Sequence, residues 1–462
     1  MAGSPALLAA VGTSIASVAS DADATTPPRV AVAFSGGVDS TVLLHTVARL
    51  HHDGRVAAVA LHIHHGLQPA ADEWLAHCRD VAAALGIPFD SEHVTVARTA
   101  ASVEGEARRV RYAALARLCR EHGCRILMTA HHADDQAETV LLNLARGAGI
   151  AGLAATARKR QIDELAVLRP FIDIPGATMR ETAAAERLAH IEDASNQDRR
   201  YTRNAIRHEV MPPLRRIAPT IATHLARVAT HASTLQSLLD EIGAEDIQDD
   251  DAEADLDVDR LAALSPPRAA NALRVWLARR GMRAPSSVVL AEMLDQLLHA
   301  TPDAQIALLH ERKTLRLYRG RIAIDTGGPP RASYEAIAWD GEARIDVPAW
   351  HGSLLIARTA GRGIDAASLR EHGLVLRERR GGERMRQRVD GPSRTLKNLY
   401  QEAGIPAWRR ERLPLVYCGE RLVHVAGLGM NAAALVEASP GVELVDIAWA
   451  EHAADAPSAH LP

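Results

Sequence analysis

The chain has 462 residues, of which 47% are hydrophobic and 24% charged, a composition typical of folded globular proteins. Its length exceeds what one hydrophobic core usually supports, so two or three domains are expected. The formal net charge of −4 argues against a uniformly basic nucleic-acid-binding surface. The 4 cysteines have no CxxC spacing, which argues against a disulfide scaffold, a zinc ribbon or a thioredoxin-type redox site.

The first segment, residues 1–28, is rich in Ala and Ser and contains no Lys or Arg. A secretory signal peptide begins with a basic flank, which this segment lacks. No apolar stretch approaches the ~20 residues needed to span a bilayer. We therefore expect a disordered extension over 1–28, no membrane association and a cytoplasmic location.

From Arg29 onward, short apolar segments alternate with segments of helical periodicity. Strands are predicted at 29–34, 55–63, 93–96 and 125–130. Helices are predicted through about Arg49, over 72–85, over 104–121 and from about Ala133. This βαβ alternation predicts a doubly wound parallel α/β sheet with helices on both faces. In such sheets ligands bind at the carboxyl ends of the strands, where the strand order reverses.

Smaller units are predicted to follow this sheet. A helical region over 201–247 runs into an acidic stretch, residues 240–259, that has eleven Asp or Glu and no Lys or Arg. Such a stretch is typical of a solvated helix end or a mobile linker. The predicted domains are a doubly wound domain over 29–225, a helical middle domain over 226–330, a connecting segment over 331–374 and an α+β domain over 375–450.

The most informative segment is the turn SGGVDS between the first predicted strand and its helix. Its residues are Ser35, Gly36, Gly37, Val38, Asp39 and Ser40. The two glycines permit positive φ and close approach to a ligand, and the hydroxyls and the helix N-terminus offer donors to phosphate. The turn is not a Walker A loop, because it lacks that motif's lysine. Asp39 beside a phosphate would be repulsive without an intervening cation, so Mg²⁺ is expected there.

A second cluster follows the strand predicted at 125–130. His131 and His132 come at the strand's end, and Asp134, Asp135 and Glu138 lie three and four residues apart on the next helix. At this spacing the three carboxylates can converge, on a metal ion or on an ammonium group. Acidic residues also favour helix N-termini, but that preference explains neither Glu138 nor the histidines.

Two further segments carry arginines suited to phosphate or RNA. Arg108 and Arg111 share a predicted helical face, and Arg203 and Arg207 lie in the segment 192–214. Arginine binds phosphate and carboxylate through its forked donors, although arginines are also common on solvated helix surfaces.

Taken in order, these segments resemble the bacterial tRNA(Ile)-lysidine synthases, a family of PP-loop (N-type) ATP pyrophosphatases. The matching motifs are FSGGVDS, HIHHGL, EGEARRVRY, TAHHADDQAETVLLNLARG, LRPF and SNQDRRYTRNAIR, followed by LKNLYQEAGIPAWRRERLPLVYCGERLVHVAGLG. The resemblance covers roughly residues 29–444. It implies that ATP adenylates the C2 oxygen of the wobble cytidine in the CAU anticodon of tRNA(Ile). Free L-lysine then displaces AMP, giving lysidine and changing the specificity from Met to Ile.

The resemblance also implies site roles. The SGGVDS turn would bind ATP, and the acidic residues with the histidines would bind lysine or, through Asp39 and Asp135, Mg²⁺. The basic stretch 377–412 has eleven Lys or Arg against five Asp or Glu, a surplus that suits a tRNA backbone. Its predicted tRNA contacts are Arg384, Arg386, Arg388, Lys397, Arg409 and Arg410. A protein partner is not implied.

Three other functions remain open at this point. A tRNA thiolase activates a similar carbonyl but needs reactive thiolates or an iron–sulfur cluster, which the cysteine pattern disfavours. An amidotransferase or synthetase acting on a small metabolite would leave the basic C-terminal stretch unexplained. A non-catalytic nucleotide-sensing RNA-binding protein would need neither the acidic residues nor the complete turn.

Overall fold

A computed structural model describes residues 4–18, 26–64, 66, 70–95, 103–193, 197–248, 255–301, 306–325 and 334–452. The chain divides into two compact units. The first contains the described residues up to Gln248 together with Asn271–Trp276, and the second contains the others.

The first unit is built on a six-stranded sheet of order β3-β2-β1-β4-β6-β5. Its strands are β1 Arg29–Ala33, β2 Ala57–His64, β3 Phe89–His93, β4 Ile126–Met128, β5 Lys159–Ile162 and β6 Leu165–Leu168. All neighbouring pairs are parallel except β5 and β6. Because β1 lies between β2 and β4, the winding reverses at β1, as in other doubly wound sheets. The predicted α/β fold class is confirmed.

Helices cover both faces of this sheet. They are α1 Pro5–Ala16, α2 Val38–His52, α3 Ala71–Ala84, α4 Val103–Glu121, α5 Ala133–Ala145, α6 Ile150–Leu153, α7 Gly176–Glu186, α8 Thr202–Ala205, α9 Met211–Ile217 and α10 Ile221–Ile247, with a π-helical turn over Ile206–Val210. One apolar cluster packs α1, α2 and α7 on one face, and another packs α4 on the opposite face.

The prediction of a strand at 93–96 was wrong. The observed strand β3 ends at His93, and its sequence FDSEH is largely polar and only partly buried. As an edge strand, β3 pairs with β2 alone, so its polar side chains can reach solvent. Its sequence therefore lacks the alternation of apolar and polar residues that predicts a half-buried strand.

The prediction of a disordered extension over 1–28 was also wrong. Helix α1 forms within this segment, and Leu7, Val11 and Ile15 are buried against the core of the first unit. Its apolar residues recur at i, i+4 and i+8, the spacing of one buried helix face. Residues 1–3 and 19–25 lie outside the described part.

The predicted boundary at 225/226 does not coincide with a division of the structure. Helix α10 runs unbroken from Ile221 to Ile247 within the first unit, where it packs along α5 and α6. The acidic stretch 240–259 is accordingly helical through Ile247 and enters a short strand at Leu256. Residues 249–254 of that stretch lie outside the described part.

The second unit combines a few helices with antiparallel sheets of order β7-β10-β9-β8, β11-β15-β18-β19-β20, β12-β13-β22-β14-β21 and β16-β17. Its helices are α11 Val258–Ala262, α12 Pro266–Arg279 (whose middle belongs to the first unit), α13 Ser287–Leu298, α14 Ala366–His372, α15 Leu396–Glu402 and α16 Ala407–Arg410. Its first strands are β7 Leu256–Asp257, β8 Ala307–His310, β9 Lys313–Tyr318, β10 Arg321–Asp325, β11 Tyr334–Ile337, β12 Arg344–Val347, β13 Gly352–Thr359 and β14 Arg362–Asp365. The last are β15 Leu374–Arg377, β16 Arg384–Met385, β17 Arg394–Thr395, β18 Leu415–Cys418, β19 Arg421–Val425, β20 Gly429–Met430, β21 Val436–Glu437 and β22 Leu444–Glu451.

The segment 331–374 is not the connector that was predicted. Strand β11 pairs with β15 at the edge of one C-terminal sheet, and β13 pairs with β22 along eight residues in the interior of the other, so this segment is part of both sheets. Trp339, Trp350 and Leu354 are buried in the same core as Val416 and Ile447.

Within the described residues, we find no helix with the length and apolar character that crossing a membrane requires.

Candidate active site

The candidate site lies at the carboxyl ends of β1 and β4, the neighbouring strands at which the strand order reverses. The turn that follows β1 is held by its own hydroxyls: Ser40 Oγ accepts from the Ser35 amide at 3.3 Å and donates to the Gly37 carbonyl at 3.0 Å. Thr41 Oγ1 donates to the same carbonyl at 3.0 Å. Gly37 caps α2, so the first amides of that helix face the turn without intrahelical partners. These donors suit a phosphate group.

Gly36 is the position in this turn that requires glycine. Its φ is +82°, and a Cβ atom would lie 2.5 Å from Ile191 Cδ1 and 3.0 Å from Cys78 Sγ. The amide of Ile191 also donates to the Gly36 carbonyl at 2.9 Å. The turn is therefore clamped by a residue more than 150 positions later in the chain.

His132 connects the turn to the second predicted cluster. Its Nε2 lies 3.5 Å from Asp39 Oδ2 and 3.6 Å from Asp135 Oδ2. Burial alone would lower the pKa of His132, but the hydrogen bond to Asp39 and the charges of Asp135, Asp39 and Asp134 raise its pKa to about 8. His132 is therefore mainly protonated at neutral pH and links two carboxylates.

The two predicted Mg²⁺ ligands differ in their fit. Asp39 Oδ1 is buried and has no hydrogen-bond partner among the described residues, so it is available to a cation. Asp135 is already engaged: Oδ2 accepts from the His132 amide at 3.0 Å, and Oδ1 accepts from Arg203 at 3.1 Å. Burial would raise the pKa of Asp135, but His132, His131 and Arg203 hold this pKa below its usual value.

Asp135 and Glu138 form a compact ion-pair network with two arginines. Arg207 donates to Glu138 from Nε at 2.6 Å and from Nη2 at 2.8 Å, and Arg203 Nε donates to Glu138 at 3.1 Å. Burial would lower the pKa of Arg207, but Glu138 raises it. The Glu138 side chain is only 3% exposed, and Arg203 and Arg207 cover it. Their positive charges compensate the cost of burying its carboxylate.

The predicted convergence of three carboxylates was therefore wrong. Asp134 pairs with Arg215 at 3.3 Å, whereas Asp135 and Glu138 share Arg203 and Arg207. The spacing correctly placed all three acids near one end of α5. It did not reveal that arginines between residues 203 and 215 form ion pairs with them. Among the described residues, the cleft is lined by Asp135 and by neither Asp134 nor Glu138.

A second group of cations surrounds Tyr112 on α4. The guanidinium carbons of Arg108 and Arg111 lie 5.4 and 5.7 Å from its ring centroid, and Arg169 Nη2 donates to its hydroxyl at 3.4 Å. Burial would raise the pKa of Tyr112, but these three arginines lower it. Burial also lowers the pKa of the neighbouring His131, which keeps that imidazole neutral.

These groups share one open cleft of about 1550 Å³ within the first unit. The cleft brings together the predicted turn, His131, Asp135 and all four predicted arginines, Arg108, Arg111, Arg203 and Arg207. Sequence reasoning missed a further set of lining residues: His62, His64, Trp74, Arg180, Arg187 and Tyr201. The motif HIHHGL offered a signal for the histidines, whereas the sequence around α7 offered none for Arg180 and Arg187.

The basic stretch 377–412 in the second unit divides into exposed and structural residues. Arg386, Arg388 and Lys397 are exposed, and Arg384 is exposed while donating to the Ser393 carbonyl. Arg409 pairs with Glu451 at 2.9 Å.

Arg410 was predicted to contact tRNA, and this was wrong. It is 7% exposed and donates to the Ile405 carbonyl at 2.5 Å and to the Tyr318 hydroxyl at 3.2 Å. The aromatic residue Tyr400 is also fully buried, with its hydroxyl donating to the Ala426 carbonyl. Both residues stabilise the fold of the second unit.

The cysteines do not form a reactive site. Cys78, Cys119, Cys124 and Cys418 are all free and buried. Burial raises the pKa of Cys78 to about 12, and burial together with Cys124 does the same for Cys119. Thiols in this state are poor nucleophiles at neutral pH.

The sheet order and the phosphate-binding turn define a PP-loop protein, and residues 10–214 match the PP-loop domain family. Residues 256–323 match the TilS substrate binding domain and residues 374–449 the TilS substrate C-terminal domain. The chain is 46% identical to tRNA(Ile)-lysidine synthase from Ralstonia nicotianae over 89% of this chain and 91% of that protein, and 42% identical to the enzyme from Burkholderia pseudomallei over 87% and 89%. It belongs to the tRNA(Ile)-lysidine synthase family.

Among solved structures, the chain partly matches U34-tRNA thiolase NcsA from Methanococcus maripaludis with its [4Fe-4S] cluster. The TM-score is 0.41 and the identity 17%, covering 49% of this chain and 77% of that one.

Proposed function

We propose that this protein joins free lysine to C2 of the wobble cytidine in the CAU anticodon of tRNA(Ile), using ATP and releasing AMP and diphosphate. The observation that supports this most strongly is the SGGVDS turn at the sheet's reversal point in a chain of this family. The reaction needs no protein nucleophile, because lysine itself supplies the attacking amine. The four buried cysteines agree with that requirement.

The chemistry proceeds in two balanced steps. The C2 oxygen of cytidine attacks the α-phosphorus of ATP; the bond from that phosphorus to the bridging oxygen breaks, and diphosphate leaves with the bridging oxygen and the electron pair. The ε-amine of lysine then attacks C2, and AMP departs with the former carbonyl oxygen. Activation is needed because the amide-like carbonyl is a poor electrophile whose oxygen does not leave readily.

The residues of the turn bind the phosphates of ATP in this proposal. The α2 amides and the Ser35 hydroxyl donate to phosphate oxygens, while Ser40 keeps the turn in shape by donating to the Gly37 carbonyl. The cleft arginines Arg108 and Arg111 balance the remaining negative charge. Asp39 would hold Mg²⁺ through its unpartnered Oδ1. The ion would supply charge neutralisation beside the phosphates.

We assign the ammonium group of lysine to Asp135 rather than to all three acids, with the ammonium replacing the contacts that Arg203 and Arg207 make to Oδ1. Asp135 is the one member of the predicted trio that lines the cleft within the described chain. Glu138, buried beneath Arg203 and Arg207, acts as a positioning residue for those arginines. The ammonium form of lysine must lose a proton before attack, since its ordinary pKa is about 10.4.

Transfer RNA is proposed to contact the exposed cations of the second unit. Arg386 and Arg388 follow the short strand β16, and Lys397 lies on the exposed side of α15. Phosphate contacts from such side chains supply affinity without reading sequence. Arg410 and Tyr400 take no part in this contact because they are buried.

The reaction is tested by incubating the purified protein with ATP, Mg²⁺, lysine and a tRNA(Ile) transcript that carries the CAU anticodon. Mass spectrometry of the anticodon nucleoside should reveal lysidine, and AMP should appear in equal amount. A methionine tRNA with the same anticodon is the matched substrate control. A sulfur-containing nucleoside, or AMP release that does not depend on lysine, would overturn the proposal.

The lysine assignment is tested with one pair of variants. Asp135→Asn should raise the KM for lysine by at least about tenfold, because a charge-assisted contact is lost. Asp134→Asn is the matched control, since its carboxylate pairs with Arg215 and does not line the cleft as described. Equal effects of the two substitutions on this KM would contradict the assignment.

The tRNA surface is tested by the double variant Arg386→Ala/Arg388→Ala. Its tRNA affinity should fall and the slope of log affinity against log salt should decrease by about 1–2, while ATP binding is kept. Arg344→Ala removes an exposed arginine that pairs with Asp346 and serves as control. An unchanged salt slope in the double variant would show that this surface does not bind tRNA.

A further inference from the structure

Two histidines and an aspartate meet at the edge of the first unit's sheet, apart from the phosphate-binding turn. His64 ends β2 and His93 ends β3, and the two residues are register partners in these parallel strands. Asp72 lies in the first turn of α3. Each element thus contributes one side chain to the cluster, and His64 also lines the cleft.

The three side chains are close enough to act together. His64 Nε2 lies 3.2 Å from Asp72 Oδ1, and the imidazole rings of His64 and His93 have centroids 4.2 Å apart and planes tilted by 35°. One ligand atom from each residue lies within 4.8 Å of the other two. In a tetrahedral zinc site with bonds of about 2.0–2.1 Å, ligand atoms are about 3.3–3.5 Å apart. A shift of about 1 Å or slightly more in the exposed side chains would therefore complete the geometry.

The structure assigns a divalent transition-metal site to His64, His93 and Asp72, with Zn²⁺ as its best-suited occupant. Two neutral imidazoles and one carboxylate form a donor set that favours Zn²⁺, Co²⁺ or Ni²⁺ over Mg²⁺, which prefers oxygen ligands. A water molecule would complete the fourth position. This ion is distinct from the Mg²⁺ proposed at Asp39.

Burial and rigidity differ usefully among the three ligands. The His64 side chain is 10% exposed and is fixed at the end of a buried strand, so it orients the site. Asp72 is 88% exposed and His93 is also exposed, so both can adjust to an arriving ion without disturbing the core. The preceding histidine on the same face of β2, His62, is committed elsewhere, because its Nδ1 lies 2.9 Å from the Phe34 carbonyl.

A metal ion at this point would tie together β2, β3 and α3. Because His64 also lines the cleft, the ion would hold one of the cleft's walls in place. An ion that binds only the folded state raises the free energy of unfolding, and the increase grows with the logarithm of the metal concentration divided by the dissociation constant. A metal-dependent rise in the melting temperature is therefore expected.

The site is tested on the full chain, stripped with a chelator and titrated with Co²⁺ in the presence of excess Mg²⁺. One equivalent of Co²⁺ should produce the visible absorption of a four- or five-coordinate ion, and Zn²⁺ should displace it. His93→Ala and Asp72→Asn should each weaken this binding by more than about tenfold. Because Asp72 is exposed, Asp72→Asn reports on the metal even if His93→Ala folds poorly.

A matched control comes from α13, where His299 pairs with Asp295 at 3.1 Å, a histidine–aspartate pair on another helix of the chain. His299→Ala should leave the Co²⁺ absorption and the metal-dependent melting shift unchanged. The proposal would be overturned if the unmodified protein showed no such absorption, or if Asp72→Asn bound Co²⁺ as tightly as the unmodified protein. His64 and Asp72 would then form only an ion pair, with His93 beside it. Neither result depends on lysine or tRNA, so the outcome is independent of the proposed reaction.

Discussion

Replacing Gly36 by alanine should destabilise the protein through two separable effects. At φ +82°, a side chain brings left-handed backbone strain of about 1–2 kcal/mol. The new Cβ would also lie 2.5 Å from Ile191 Cδ1 and 3.0 Å from the fully buried Cys78 Sγ. Overpacking of this kind costs about 1–3 kcal/mol. We therefore expect Gly36→Ala to lower the free energy of unfolding by about 2–5 kcal/mol.

Two other glycines separate these contributions. Gly54 has φ +68°, and an added Cβ atom there would have no described atom within 4 Å, so Gly54→Ala tests strain alone and should cost about 1 kcal/mol. Gly37 has φ −71°, and its nearest contact would be Ser35 Oγ at 3.7 Å. Gly37→Ala should therefore leave stability unchanged or raise it by about 0.5 kcal/mol through the unfolded state.

The assay is urea-induced unfolding followed by circular dichroism, with ATP binding measured on the folded variants by calorimetry. The expected order of destabilisation is Gly36→Ala, then Gly54→Ala, then Gly37→Ala. Equal losses for Gly36→Ala and Gly54→Ala would show that the approach of Ile191 contributes nothing. A loss at Gly37→Ala as large as that at Gly36→Ala would refute the geometric reasoning altogether.

Two further predictions concern parts of the structure outside the turn. Leu7→Ala should lower the free energy of unfolding by about 2–5 kcal/mol, since Leu7 is buried in the core; urea unfolding with no such loss would show that α1 does not dock. Burial lowers the pKa of His424 to about 4 from 6.5, so the unfolded state binds more protons between these values. Above pH 6.5 the imidazole is neutral in both states and costs no stability. As pH falls from 6.5 toward 4, the free energy of unfolding decreases by at most about 3 kcal/mol, because the unfolded state gains the proton first. His424→Leu should flatten that part of the pH–stability profile measured by thermal unfolding, and an identical slope in both proteins would contradict the assignment.

The sequence alone determined the SGGVDS turn and the class of the first domain. Six consecutive residues encode the turn, because glycine, hydroxyl and helix-start preferences act within a few residues of one another. Likewise, the alternation of apolar strands and periodic helices follows from local geometry, so it predicted the doubly wound sheet.

Only the tertiary structure decided which side chains meet. Asp135 and Glu138 are neutralised by Arg203 and Arg207 from more than 60 residues away, and Arg410 is buried although its neighbours are exposed. Local periodicity carries no information on such pairs, because their distances are set by how helices and strands pack. For the same reason the clamp of Ile191 on Gly36 became visible only in the folded chain.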